Sequence, residues 1–170
     1  LMEPTGCGIG GDLFAIVWSA EDQKLYGLNG SGRSPQSLTL DYFREQDMKK
    51  IPPYGPLPVT VPGAVQAWCD LHERFGSKAF NEILTPAIQY AREGFPVTEV
   101  IGYYLERSAR YFEKYPNFKE TYMPDGQPLQ KGKIFKNPYL ANTYEKIATL
   151  GRSGFYEGPV AETIANFIQD

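Results

Sequence analysis

Three groups of residues in this chain have types and spacings that could do chemistry. They are the glycines of "TGCGIGGDLFAIVWS", the arginine of "LNGSGRSP", and a single histidine with two cysteines. Gly6-x-Gly8-x-x-Gly11 has the spacing that, at a strand-to-helix turn, cradles the pyrophosphate of a dinucleotide. That chemistry needs a strand before the glycines and a helix after them, with free N–H groups aimed at the phosphate. Here only Leu1 to Thr5 precede the motif, and a continuous apolar run, Leu13-Phe14-Ala15-Ile16-Val17-Trp18, follows it. Such a run, with the turn cluster Ser19 to Gln23 behind it, reads as a buried strand. Where the ribose-binding acid belongs, about 20 residues on, stands "NGSGRSP" instead. The glycines therefore read as scaffold, with Gly8, Gly10 and Gly11 expected to let the backbone turn tightly or approach another segment.

Arg33 follows the second strand, between a flexible glycine and the rigid Ser34-Pro35 pair. A guanidinium held out at a strand end suits a carboxylate, because its planar fork of N–H donors matches two oxygens at once. On chemistry alone, a solvated loop arginine is the plain alternative. His72, the only histidine, sits on an apolar helical stripe or its edge, where a hydrogen-bonded packing role is the ordinary one. No His/Cys/Asp cluster has metal-ligand spacing. Cys7 and Cys69 lack CxxC spacing and are too few for a disulfide scaffold, so both are expected as buried, reduced thiols. The residues call for no metal and no cofactor.

The elements that must position these residues follow from the patterning. Leu13 to Trp18 and Lys24 to Leu28 form a hairpin around a turn at Ala20 to Gln23, a β-hairpin region spanning 12–29. Thr39 caps a short helix through Arg44. "KKIPPYGPLPVTVPG" then packs five prolines into fifteen residues and cannot be regular helix. It alternates apolar residues and runs into a helix, so it reads as placement rather than as a ligand for an aromatic groove. From 63 to 170 the pattern is helical. Val65, Trp68, Leu71, His72 and Phe75 share a stripe that Gly76 ends as a C′ residue. Phe80, Ile83 and Leu84 lead to Thr85-Pro86, read as an N-cap with proline at N1 that divides the next helix before its stop at Gly94. Thr98 caps a helix bearing Ile101, Leu105, Ala109 and Phe112. Asn137-Pro138 opens one that closes at Gly151, and Gly158-Pro159 opens the last. Two strands and five or six helices give an α+β chain.

With 170 residues, 42% apolar and 14% aromatic, the chain is one domain's worth and can bury a real core. A formal net charge of −3 with interspersed signs leaves no basic stripe for a nucleic acid. No apolar stretch approaches the roughly 20 residues of a membrane span, and no basic leader region opens the chain. The compartment stays open, with a cytoplasmic setting favoured over a periplasmic or secreted one.

Taken in order, "EPTGCGIGGDLFAIVW", "LNGSGRSP", "LPVTVPGAVQAW", "LTPAIQYAREGFPVT" and "NPYLANTYEKIATLGRSGFYEGPVAETI" resemble the large-subunit portion of the γ-glutamyltransferase (γ-glutamyltranspeptidase) family. The resemblance implies part of an N-terminal-nucleophile hydrolase fold, the four-layered αββα sandwich. It also implies a precursor that cuts itself, so that the N-terminal threonine of the small subunit becomes the nucleophile. Arg33 matches the family's large-subunit arginine that holds the α-carboxylate of the γ-glutamyl group. The implied partners are the chain's own small subunit and a γ-glutamyl small molecule such as glutathione. The Thr-Thr-His motif of the cleavage point does not occur among these residues, so no catalytic nucleophile is expected here and the chain alone should be inactive. The family's N-terminal helix before "EP" is also expected to be missing. The family typically reads Asp-Phe-Arg-Glu-Thr-Ala-Pro at this arginine, whereas this chain has Gly32-Arg33-Ser34-Pro35. A cephalosporin-acylase-like amidohydrolase fits that departure as well. A catalytically degenerate homologue serving as an interaction module is the rival from another class, and a Thr-Thr-His motif encoded downstream would decide against it.

Overall fold

A computed structural model of the chain describes residues 1–169. In chain order the first elements are β1 (Leu13–Ser19), β2 (Lys24–Gly30), α1 (Leu40–Glu45), α2 (Ala64–Phe75) and α3 (Phe80–Glu93). Then come β3 (Phe95–Pro96), α4 (Glu99–Phe112), α5 (Phe118–Tyr122) and β4 (Ile134–Phe135). The last are α6 (Pro138–Leu150), α7 (Ser153–Tyr156) and α8 (Gly158–Gln169). The chain divides into two compact units, one holding Ile9–Ser77 with the stretch from Phe155 onward, the other Leu1–Gly8 with Lys78–Gly154. No helix among the described residues is long and apolar enough to cross a membrane.

In the hairpin unit, β1 and β2 pair antiparallel from Leu13↔Gly30 to Ser19↔Lys24. The turn is held by Ser19, whose hydroxyl donates to Asp22 Oδ2 at 3.0 Å and accepts the Asp22 amide at 3.1 Å. The strand period of two sends Leu13, Ala15 and Val17 to one face and Phe14, Ile16 and Trp18 to the other. The first face meets α2, where Tyr26 lies 5.5 Å from Phe75, ring to ring. The second is open, with Phe14, Ile16 and Trp18 67%, 78% and 57% exposed. A strand buried on both faces is thus not what this run forms here; two strands backed by one helix cover a single face.

Helix α2 begins without a side-chain cap of its own. Its first amides are satisfied from outside: the Gly11 carbonyl accepts from Gly63 and Ala64 at 3.0 Å each. The Tyr156 hydroxyl accepts from the Gln66 amide at 2.9 Å. Ala64, Val65, Ala67 and Cys69 make the buried stripe. Gly76 ends the helix, but with φ −72 rather than the left-handed turn expected; a side chain there would run into the His72 ring.

In the helical unit, α3 is one continuous helix with Pro86 inside it, not a helix divided at Thr85-Pro86. The Thr85 hydroxyl donates to the Asn81 carbonyl at 2.8 Å rather than capping a new start. Proline withholds only the amide that would reach Glu82, and both residues face solvent, so water can satisfy that carbonyl. Helices α3 and α6 pack together with Ala91, Ala141 and Ile147 fully buried. Arg92 crosses between them to Glu145 Oε1 at 2.7 Å and Asn142 Oδ1 at 2.9 Å. A second cluster joins Phe95, Val97, Ile101, Leu105, Leu129 and Phe135, with the two phenylalanines edge to face at 5.7 Å. Those phenylalanines belong to the β3–β4 pair, Phe95↔Phe135 and Pro96↔Ile134, which the sequence pattern does not announce. The caps on α4 and α6 are as expected, Thr98 accepting from Ile101 at 3.4 Å and Asn137 from Leu140 at 3.0 Å.

Candidate functional site

Arg33 lies in the loop that leaves β2, and the backbone around it is held from several directions. Asn29, the residue before the strand's last, accepts both the Ser31 amide at 3.0 Å and the Ser31 hydroxyl at 2.7 Å through Oδ1. Gly32 donates its amide to Asp12 Oδ1 at 2.8 Å. The Arg33 carbonyl accepts the Val61 amide at 2.9 Å. The segment supplying Val61 is itself fixed, because the Tyr156 hydroxyl donates to the Pro62 carbonyl at 2.7 Å. Burial, as the largest influence, raises the Tyr156 hydroxyl above the ordinary tyrosine range. The neutral form is the one that can donate to Pro62.

The glycine beside Arg33 is not there for flexibility. A Cβ on Gly32 would overlap the Val61 carbonyl oxygen and reach Thr60 Oγ1 at 2.6 Å. On Gly63 it would overlap the Gly30 carbonyl oxygen. Two backbone runs, 30–33 and 60–63, therefore lie against each other at a distance only glycine allows. Gly8 and Gly10, expected to allow a tight turn or a close approach, have nothing within 4 Å of where a Cβ would stand, so neither serves a close approach, while Gly10 lies in a turn. Gly11 does meet another segment, through its carbonyl on the α2 amides. None of these glycines opens a helix, so no phosphate cradle forms.

The Arg33 side chain is exposed and makes no ion pair with any described residue, so its fork is available to a carboxylate ligand. It stands at the end of the hairpin whose open face carries Phe14, Ile16, Trp18 and Leu25. Further along the same loop, Pro35 and Leu38 join Tyr42, Val61, Ile164 and Ile168 in lining a mainly apolar groove of about 650 Å³. Arg33 does not line that groove. Cys69 is buried as expected, but Cys7 is exposed, its thiol donating to Glu3 Oε2 at 3.9 Å. Among the described residues no group of His, Cys, Asp and Glu could hold a metal ion. Sequence reasoning missed Asp12 and Tyr156. The only signal for Asp12 was an acid directly before the apolar run, and for Tyr156 an aromatic between Phe155 and the Gly158-Pro159 start.

A family model for gamma-glutamyltranspeptidase matches residues 1–170. The chain belongs to the gamma-glutamyltranspeptidase family. It is 29% identical to the glutathione hydrolase proenzyme of Bacillus subtilis over 99% of its own length and 29% of that protein. Among solved structures it is similar to Helicobacter pylori gamma-glutamyltranspeptidase, with TM-score 0.90 and 30% identity over 97% of this chain and 48% of that one. It is also similar to the cephalosporin acylase of Bacillus halodurans, with TM-score 0.91 and 38% identity over 98% of this chain and 32% of that one. The chain thus spans about 29% of the curated relative it matches. Its mixed α+β fold, a small hairpin with mostly helices, is a portion of the N-terminal-nucleophile hydrolase fold of gamma-glutamyltranspeptidases.

Proposed function

We propose that this chain is the carboxylate-binding portion of the large subunit of a self-processing amidohydrolase. That enzyme would cleave a γ-glutamyl amide such as glutathione and pass the γ-glutamyl group to water or an amine. The observation that carries the reading is the exposed Arg33 side chain on a loop whose backbone is bonded on both sides, at Gly32 and at the Arg33 carbonyl. A rigidly presented fork with no ion-pair partner among the described residues is suited to two-point recognition of the donor's α-carboxylate.

In the complete enzyme the nucleophile is an N-terminal threonine on the small subunit, exposed when the precursor cuts itself. Its hydroxyl oxygen attacks the amide carbonyl while its α-amine takes the hydroxyl proton. The C–N bond breaks, the proton passes to the departing amine, and an acyl ester remains. Water or a second amine then attacks that ester and frees the threonine. Arg33 contributes before these steps, by anchoring the donor so that the scissile carbonyl meets the hydroxyl. The open hairpin face, with Ile16 78% exposed, supports a small subunit seated there as the next layer of the sandwich.

The acylase reading draws on two observations, Ser34 in place of the glutamate that usually follows this arginine and the higher identity to the cephalosporin acylase. Both readings are tested on the full-length protein. Denaturing mass spectrometry should show two fragments in place of one, and the processed enzyme should turn over a γ-glutamyl anilide. An unsplit, inert protein overturns both. Turnover of a cephalosporin amide without the γ-glutamyl anilide selects the acylase.

A further inference from the structure

We propose that Asp12 is a positioning residue for Arg33, setting affinity for carboxylate-bearing donors without touching them; the inference rests on Arg33 being the carboxylate ligand. The two contacts that bracket the Gly32–Arg33 peptide differ in kind. On one side the Val61 amide donates to the Arg33 carbonyl at 2.9 Å, a bond between backbones that persists through side-chain changes. On the other the Gly32 amide donates to Asp12 Oδ1 at 2.8 Å, 20 residues away in sequence. That bond depends on one carboxylate.

Asp12 is exposed and sits just before β1, so its removal takes no apolar contact from the core. What it removes is the charge-assisted acceptor that fixes a glycine amide. Gly32 then recovers the backbone freedom particular to glycine, and the arginine it precedes samples orientations in which its fork misses one carboxylate oxygen. A loss of this kind weakens donor binding and leaves the threonine's own chemistry largely alone, so it appears in KM rather than kcat. An asparagine keeps an oxygen at the Oδ1 position and should keep the loop.

The test is steady-state kinetics on the processed full-length enzyme with a γ-glutamyl anilide and its analogue lacking the α-carboxylate. Asp12→Ala should raise KM for the carboxylate donor about three- to tenfold with kcat within about twofold, and Asp12→Asn should recover most of that rise. The analogue should respond to neither. In an Arg33→Ala background, Asp12→Ala should add nothing, since the two act through one contact. If Arg33→Ala raises KM and Asp12→Ala does not, the Asp12 inference is overturned and the Arg33 reading stands. If Asp12→Ala and Asp12→Asn are equally impaired on both donors, Asp12 is structural and the inference is again overturned. If the parent enzyme ignores the anilide, or Arg33→Ala leaves kcat/KM unchanged, the proposed function fails and this inference with it.

Discussion

The amide of Val61 donates to the carbonyl of Arg33 across 2.9 Å, and Gly32, next to that carbonyl, sits so close to the Val61 oxygen that a methyl group would overlap it. The loop that presents the arginine is therefore built against the proline-rich segment, and its accuracy depends on a residue with no side chain. Gly32→Ala in the full-length enzyme should push residues 32–33 away from 60–61 and raise KM for a γ-glutamyl anilide by about tenfold or more. Gly10→Ala, where an added Cβ meets nothing within 4 Å, should leave KM unchanged. Equal kinetics for the two variants would contradict the close approach.

Tyr156 gives a stability prediction in the same unit. Its hydroxyl both donates to Pro62 and accepts from Gln66, so Tyr156→Phe leaves a carbonyl and a helix-start amide without those partners. The expected cost is about 1–3 kcal/mol, read from the denaturant midpoint at neutral pH. The hydroxyl's pKa is raised on folding, so the contribution is fully present below the ordinary tyrosine value and is lost as pH rises through the raised one. Parent and Tyr156→Phe midpoints should converge in strong alkali; a gap that widens there would contradict the assignment.

The Arg92–Glu145 bridge between α3 and α6 titrates in the opposite sense. A hydrogen bond from Arg92 is the chief influence holding the Glu145 carboxyl below its ordinary value. A depressed carboxyl contributes stability that is present above its unfolded pKa and lost as pH falls through its folded one. The parent's small advantage over Glu145→Gln in urea unfolding should thus exist at neutral pH and vanish in acid. Both groups are exposed, so the advantage should also shrink in high salt. An advantage that persists unchanged at low pH would assign it to something other than the ion pair.

What was legible in the sequence follows the range of the interaction that made it so. The helices α4 and α6 are readable because Thr98 and Asn137 cap them locally and Ile101, Leu105 and Ala109, or Tyr144 and Ile147, repeat at helical spacing. The hairpin is readable because its strands and turn are adjacent. Its boundaries are less so, since Asn29 and Gly30 look like turn residues yet pair with Phe14 and Leu13. Pro86 misled because local preference favours a helix start there, while packing of α3 along α6 holds one helix through it. The β3–β4 pair has two residues per strand, too few to show a period. Arg33 could be singled out from its neighbours, but the Gly32 to Asp12 bond spans 20 residues and the Tyr156 to Pro62 bond 94. No local pattern encodes contacts at that separation.

The nucleophile's location gives a further prediction. If it belongs to a separate small subunit, the isolated 170-residue chain should neither hydrolyse nor transfer from a γ-glutamyl anilide. Turnover by this chain, purified free of the processed enzyme, would contradict the subunit assignment.

Whether Arg33 holds the donor's carboxylate is decided by kcat/KM of Arg33→Ala in the processed full-length enzyme. Loss of a charge-assisted two-point contact should cost on the order of 2–4 kcal/mol, roughly 30- to 1,000-fold, with a γ-glutamyl anilide. Arg33→Lys should recover only part, because it keeps the charge without the planar fork. Self-cleavage, which involves no donor, should proceed in both variants, and a donor lacking the α-carboxylate should be nearly indifferent to them. An Arg33→Ala enzyme that splits normally and keeps the parent's kcat/KM for the γ-glutamyl anilide would mean that Arg33 does not hold the carboxylate.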